Sequence, residues 1–139
     1  DIYAAGDVTG LSGIWPNAMK QGQTAGYNMC GVKTQYIDKY AMKNTMNFYG
    51  LTTLSLGRGI EEEGDVIVER EDSHNYRRAI LRDGKLDSIL LQGKIDYSGI
   101  YQYLIKNEVD LSGLEKDIFH LSFADFYSID ERGAYSYNV

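Results

Sequence analysis

Gly6 and Asp7 close the apolar run Asp1-Ile2-Tyr3-Ala4-Ala5-Gly6-Asp7-Val8, and Pro16 opens a helical pattern soon afterwards. A strand that ends in glycine lets a ligand come close to the backbone. An aspartate at the carboxyl end of a parallel strand stands where open α/β sheets bind ligands, and its carboxylate can accept hydrogen bonds from sugar-like hydroxyls. A following helix start would add free N–H groups and a partial positive charge. Asp7 could equally cap a turn. The residue types alone leave both readings open.

The elements that must hold these residues follow from pattern. Residues 1–8 form a short apolar run ended by glycine, the look of a central parallel strand. Residues 9–13 read as a loop. Pro16 suits a first helical position because its missing N–H costs nothing there. Over residues 17–29 the pattern is helical, with Ala18, Gly22, Ala25, Gly26 and Met29 on one side and Lys20, Gln21, Gln23 and Asn28 mostly elsewhere. Two glycines in a helix each cost about 1 kcal/mol relative to alanine, a cost that close approach to another backbone or a ligand usually offsets. Gly31 stops the helix.

A polar stretch over 33–45 leads to a different kind of unit, and a boundary is placed near Tyr40. Strand-like runs follow at 46–51, 52–56, 65–69, 75–82 and 85–91, with Asp83-Gly84 as a hairpin signal between the last two. Tyr97, Ile100, Tyr101, Leu104 and Ile105 recur at helical spacing, with Ser98 as cap. A second short helix is expected over 112–119, and the tail from 120 adds an edge strand. The fold class is therefore α+β. A strand-loop-helix segment (1–40) precedes a small antiparallel sheet with one or two helices (41–139).

Composition limits the function classes. The 139 residues carry a net charge of −6, all of it in residues 41–139. An acidic unit lacks the electrostatic attraction that phosphate-backbone binding requires, so nucleic acid is not an expected partner. Arg77, Arg78 and Arg82 sit among Glu69, Glu71, Asp72 and Asp83 and read as a solvated mixed-charge surface. No segment approaches the ~20 apolar residues that cross a membrane, and a cytoplasmic location is the default expectation.

Other residues that could do chemistry rank lower. Cys30 is the single cysteine, which excludes an internal disulfide. With nothing basic adjoining it, a buried structural thiol is the expectation. His74 and His120 lack ligand-like spacing with Cys or Glu, so no metal site is expected. Glu61-Glu62-Glu63 reads as a solvated turn. Trp15 is either a neighbour of a bound ligand or an apolar plug on the helix start.

The string 1–8, followed by Pro16-x-Ala18 and Gln21-Gly22-x-x-Ala25-x-x-Asn28-x-x-Gly31, resembles the second FAD-binding signature of the pyridine nucleotide-disulfide oxidoreductases. The nearest branch is that of NADH:rubredoxin reductases and nitrite reductase large subunits. Tyr76-Arg77-Arg78-Ala79-Ile80-Leu81-Arg82-Asp83-Gly84-Lys85-Leu86, Leu90-Leu91-Gln92-Gly93 and Gly99-Ile100-Tyr101 are similar to that branch's C-terminal domain, more diffusely.

The resemblance implies a C-terminal piece of an FAD-dependent enzyme that passes electrons from NAD(P)H through flavin to a second acceptor. It implies FAD contacts at Gly6, Asp7 and Val8 and at the helix start, Trp15, Pro16 and Asn17. It makes residues 1–40 the remnant of an FAD-binding domain and 41–139 a contact or dimerisation domain. The partners it implies are the rest of the parent flavoprotein, another copy in a homo-oligomer, and an electron-carrier protein. Both GxGxxG fingerprints and the redox disulfide of the wider family are absent from the chain, so NAD(P)H would bind outside it and the chain alone is expected to be inactive. The competing reading is a free-standing interaction or dimerisation module without cofactor.

Overall fold

A computed structural model describes residues 2–37, 43–114 and 116–137. The chain is α+β, as the patterning implies. Helix α1 (Trp15–Met29) comes first, then strands β1 (Lys43–Phe48), β2 (Leu51–Gly57), β3 (Val66–Glu71), β4 (Tyr76–Arg82) and β5 (Lys85–Gln92), helix α2 (Gly99–Asn107), and a hairpin of β6 (Tyr127–Ile129) and β7 (Tyr135–Tyr137). The expected boundary near Tyr40 lies outside the described residues.

The five long strands form one sheet in the order β1-β2-β5-β4-β3, with every neighbour antiparallel. Two of its turns have the left-handed geometry of two-residue hairpins. Asp83 and Gly84 have φ of 50° and 74°, as the Asp-Gly pair predicts. Tyr49 and Gly50 have φ of 52° and 96° and split the run expected as one strand over 46–51. The glycine was the available sign that the chain reverses there.

Alternation along the strands sends Leu54, Leu56, Ala79, Ile89 and Leu91 to one face. There they meet Ile100, Tyr101, Leu104 and Ile105, the i, i+1, i+4, i+5 stripe of α2. The coil after α2 closes the same core with Val109, Leu111, Ile118, Phe119, Leu121 and Phe126. Leu104 and Ile100 are 0% and 1% exposed and mark its centre.

Five expectations shift. Residues 2–5 are not a strand, because no described strand pairs with them. A parallel strand exists only through ladder bonds to its neighbours. Ser98 occupies the N-cap of α2 but its φ, ψ of −68° and −8° are already helical, and its hydroxyl makes no cap bond. Tyr97 precedes the helix at φ 61° and is exposed. Residues 112–119 form only a single 3-10 turn, Ile118–His120, held by the Asp117 carboxylate accepting from the Phe119 N–H. The tail strands pair with each other and not with the edge of the main sheet.

The link from β2 to β3 must pass from one side of β5 and β4 to the other. Charge holds this crossover. Arg82 bonds Asp65 at 2.7 Å and 2.8 Å and Asp87 at 3.2 Å, and donates to the Ile60 carbonyl. Arg58 donates to Asp87 at 2.9 Å. Arg78 joins Glu61 to Glu69, and Glu62 lies 3.1 Å from Arg82. Arg78, Arg82, Glu61 and Glu62, read as solvated surface, are thus partners in one lattice, and the Asp65 side chain is only 2% exposed. Gly57, at φ 80°, starts the crossover so close to β5 that a Cβ would strike the Asp87 carbonyl oxygen.

Hydrogen bonds from Arg82, then the Glu62 N–H, hold the Asp65 carboxyl below its usual range. Asp125 is lowered by Lys116 and Asp110 by Ser112. Groups with depressed folded pKa contribute stability that is present above the unfolded value and lost as pH falls through the folded one. Thermal unfolding should therefore show a flat midpoint above about pH 5 and a falling one below about pH 4. Asp65→Asn should lower the midpoint at pH 7 and flatten the acid slope; an unchanged slope in that variant would remove Asp65 from the account.

Candidate cofactor-binding site

The segment before α1 is tied to the helix by one side chain. Residues Asp7–Thr9 make a 3-10 turn that follows Gly6 at φ 82°. Gln21, two turns into α1, accepts through Oε1 from the Gly6 N–H at 2.7 Å and from the Thr9 hydroxyl at 3.0 Å. The Thr9 hydroxyl also lies 2.8 Å from the Gly6 carbonyl oxygen. Gly10 N–H donates to the Asp7 carbonyl and closes the turn. A Cβ on Gly6 would lie 3.7 Å from the Ala18 Cβ, so glycine sets an ordinary contact distance to the helix here.

Asp7 is exposed, and its carboxylate accepts no hydrogen bond from a described residue. Backbone and Thr9 close the turn, so the alternative role of Asp7 as a turn cap is not what the structure shows. Val8 is 81% exposed beside it.

The start of α1 is equally open. Ile14 stands at the N-cap in extended conformation with no side-chain cap, Pro16 is the second helical residue rather than the first, and no acidic residue lies in the first turn to offset the helix dipole. Trp15 is 80% exposed and Pro16 is exposed. Asn17 faces inward and is 4% exposed.

The unusual feature of this region is polar. Ser12, Asn17 and Gln21 are each 4% exposed. Ser12 Oγ, Asn17 Nδ2 and Gln21 Nε2 are buried without a hydrogen-bond partner among the described residues. Asn17 and Gln21 are four residues apart, so they share a face of α1. Leaving a polar group buried and unpaired costs about 1–3 kcal/mol. Three such groups lie within one short segment. A groove of about 160 Å³ runs between residues 3–11 and the helix, past Tyr3, Thr9, Leu11, Gln21 and Ala25.

The six residues singled out in the sequence thus fall into two groups, Gly6, Asp7 and Val8 in the turn and Trp15, Pro16 and Asn17 at the helix start. Gln21 and Ser12 were not among them. The helical pattern puts Gln21 away from the packed side of the helix, whereas the structure turns it inward. A buried glutamine looks like any solvated one until its partner, a backbone N–H fifteen residues earlier, is known. At Gly22 and Gly26 a Cβ would meet nothing within 4 Å, so no described residue makes the close approach expected of them. Cys30, expected to be buried, is exposed at the end of α1. Among the described residues no group of His, Cys, Asp and Glu could hold a metal ion, and no helix is long and apolar enough to cross a membrane.

No family model matches the chain, and no curated protein does. Its fold does have a counterpart among solved structures. The crystal structure of NADH:rubredoxin oxidoreductase from Clostridium acetobutylicum superposes with a TM-score of 0.52 at 19% identity, over 75% of this chain and 27% of that one. The shared property is the fold, and the chain spans about a quarter of that protein's length.

Gln21→Ala should release the turn while leaving α1 and the sheet intact. Amide hydrogen exchange at Gly6 should speed up by roughly tenfold, the loss of about one hydrogen bond. Unchanged exchange there would show that Gln21 does not anchor the segment.

Proposed function

We propose that this chain is the C-terminal part of a flavin-dependent NAD(P)H oxidoreductase, and that residues 2–37 are half of its FAD grip. The observation that carries the reading is the trio of unpartnered buried polar groups at Ser12, Asn17 and Gln21, next to an uncapped helix start and a free Asp7 carboxylate. The fold shared with NADH:rubredoxin oxidoreductase supports it, as does the signature quoted above.

In this reading Asp7 accepts hydrogen bonds from the ribitol hydroxyls, and Gly6 and Val8 offer backbone groups beside it. The N–H groups of the first turn of α1, at Trp15 and Asn17, point their partial positive charge at an electron-rich edge. Trp15 excludes water from one side. Flavin, when bound, takes hydride from the nicotinamide and passes electrons onward. NAD(P)H binds on parts of the parent outside this chain. The unit over 43–137 serves contact between domains or between copies of a homo-oligomer, with an electron-carrier protein as acceptor and the cytoplasm as its compartment.

The test uses the full-length gene product. Purified from cells, it should be yellow, with visible flavin absorbance in near-stoichiometric amount. Asp7→Ala should cut flavin affinity by roughly ten- to a hundredfold, the range for hydrogen bonds to a charged group. Full flavin retention in that variant would refute the role of Asp7, and a colourless parent would refute the reading as a whole.

A further inference from the structure

Arg77 is half-buried and makes no direct ion pair with a described residue, although its charge acts through space on the Asp72 carboxylate. It lies on β4 directly opposite Arg70 of β3, and like charges in facing positions are destabilising. Asp117 relieves Arg70, at 3.6 Å. That carboxylate also accepts from the Phe119 N–H at 3.0 Å and lies 3.9 Å from His120. Lys94 pairs with Asp96 at 3.7 Å. The guanidinium of Arg77 makes no hydrogen bond or ion pair with any described residue, although the sheet holds it among groups that could have supplied one.

Beside it stands Tyr101 of α2, which is 4% exposed and whose hydroxyl makes no hydrogen bond with a described residue. Burial pushes that phenol up to about 12, against an opposing pull from Arg77, so it stays a neutral donor. Both side chains line one cleft of about 230 Å³, together with apolar Leu91 and Phe119 and with Lys94, Asp96 and His120.

We infer that this cleft binds a small carboxylate with an apolar body. The guanidinium fork of Arg77 matches a carboxylate bidentately, the Tyr101 hydroxyl donates a further hydrogen bond, and Leu91 and Phe119 cover the hydrocarbon part. The size limits the occupant, since pockets for drug-sized ligands run from about 300 Å³ upward. Asp96 and Asp117, each within an ion pair of its own, repel a second negative charge and favour a monoanion over phosphate. The site involves none of the residues assigned above to FAD.

Benzoate is the probe, titrated into the 139-residue chain and followed by amide shifts in proton–nitrogen correlation spectra. Saturable shifts should centre on Arg77, Tyr101 and Phe119, with inorganic phosphate weaker than benzoate. Arg77→Met should weaken benzoate by about tenfold or more. Arg77→Lys, which keeps the charge and loses the fork, should weaken it less, and Tyr101→Phe by about threefold. Spectra of each variant report directly that it is folded. Absence of saturable shifts, equal affinity in Arg77→Met, or phosphate binding tighter than benzoate would each overturn the inference.

Discussion

The arrangement of this sheet depends on a connection that has to cross it. Sequence-adjacent strands β2 and β3 are separated by β5 and β4, so residues 58–65 span the sheet without a ladder of their own. Their composition, four acidic residues and two glycines in a short loop, gives no apolar anchor beyond Ile60. Arg82 supplies the anchor instead, because its planar fork can hold Asp65, Asp87 and the Ile60 carbonyl from one position on β4. The result places β3 at its edge and leaves the opposite face of the sheet free to pack α2. Isolated surface ion pairs contribute little; this set matters because Asp65 is almost fully enclosed and several charges share partners.

The N-terminal segment obeys a different logic. Its inward-facing groups are Ser12, Asn17 and Gln21, where the sheet unit has leucine and isoleucine. Polar groups held out of water without partners contribute no stability of their own. The two halves of the chain therefore differ in kind: apolar side chains fill the core of one, and polar groups face inward in the other.

Much of the sheet was legible in advance because period-two alternation, the Asp83-Gly84 pair and the α2 stripe are local signals. What escaped was non-local. The strand expected over 1–8 needs neighbours that the described residues do not provide. The Arg78–Glu61 and Arg82–Asp65 pairs join residues 17 apart, and nothing in the spacing separates such partners from solvated charges. Tyr49-Gly50 was missed because the apolar run around it masked a two-residue turn. At the candidate site the glycine-aspartate pair and Pro16 were readable as types. The inward turn of Gln21 was not, since its role rests on a backbone group far away in sequence.

A crystal structure of the full-length gene product grown with FAD tests the central claim most directly. The account predicts flavin against residues 6–17, with a ribitol hydroxyl within hydrogen-bond distance of the Asp7 carboxylate and partners for Ser12 Oγ, Asn17 Nδ2 and Gln21 Nε2. Flavin absent from that surface, with those three groups paired to protein side chains alone, would contradict it.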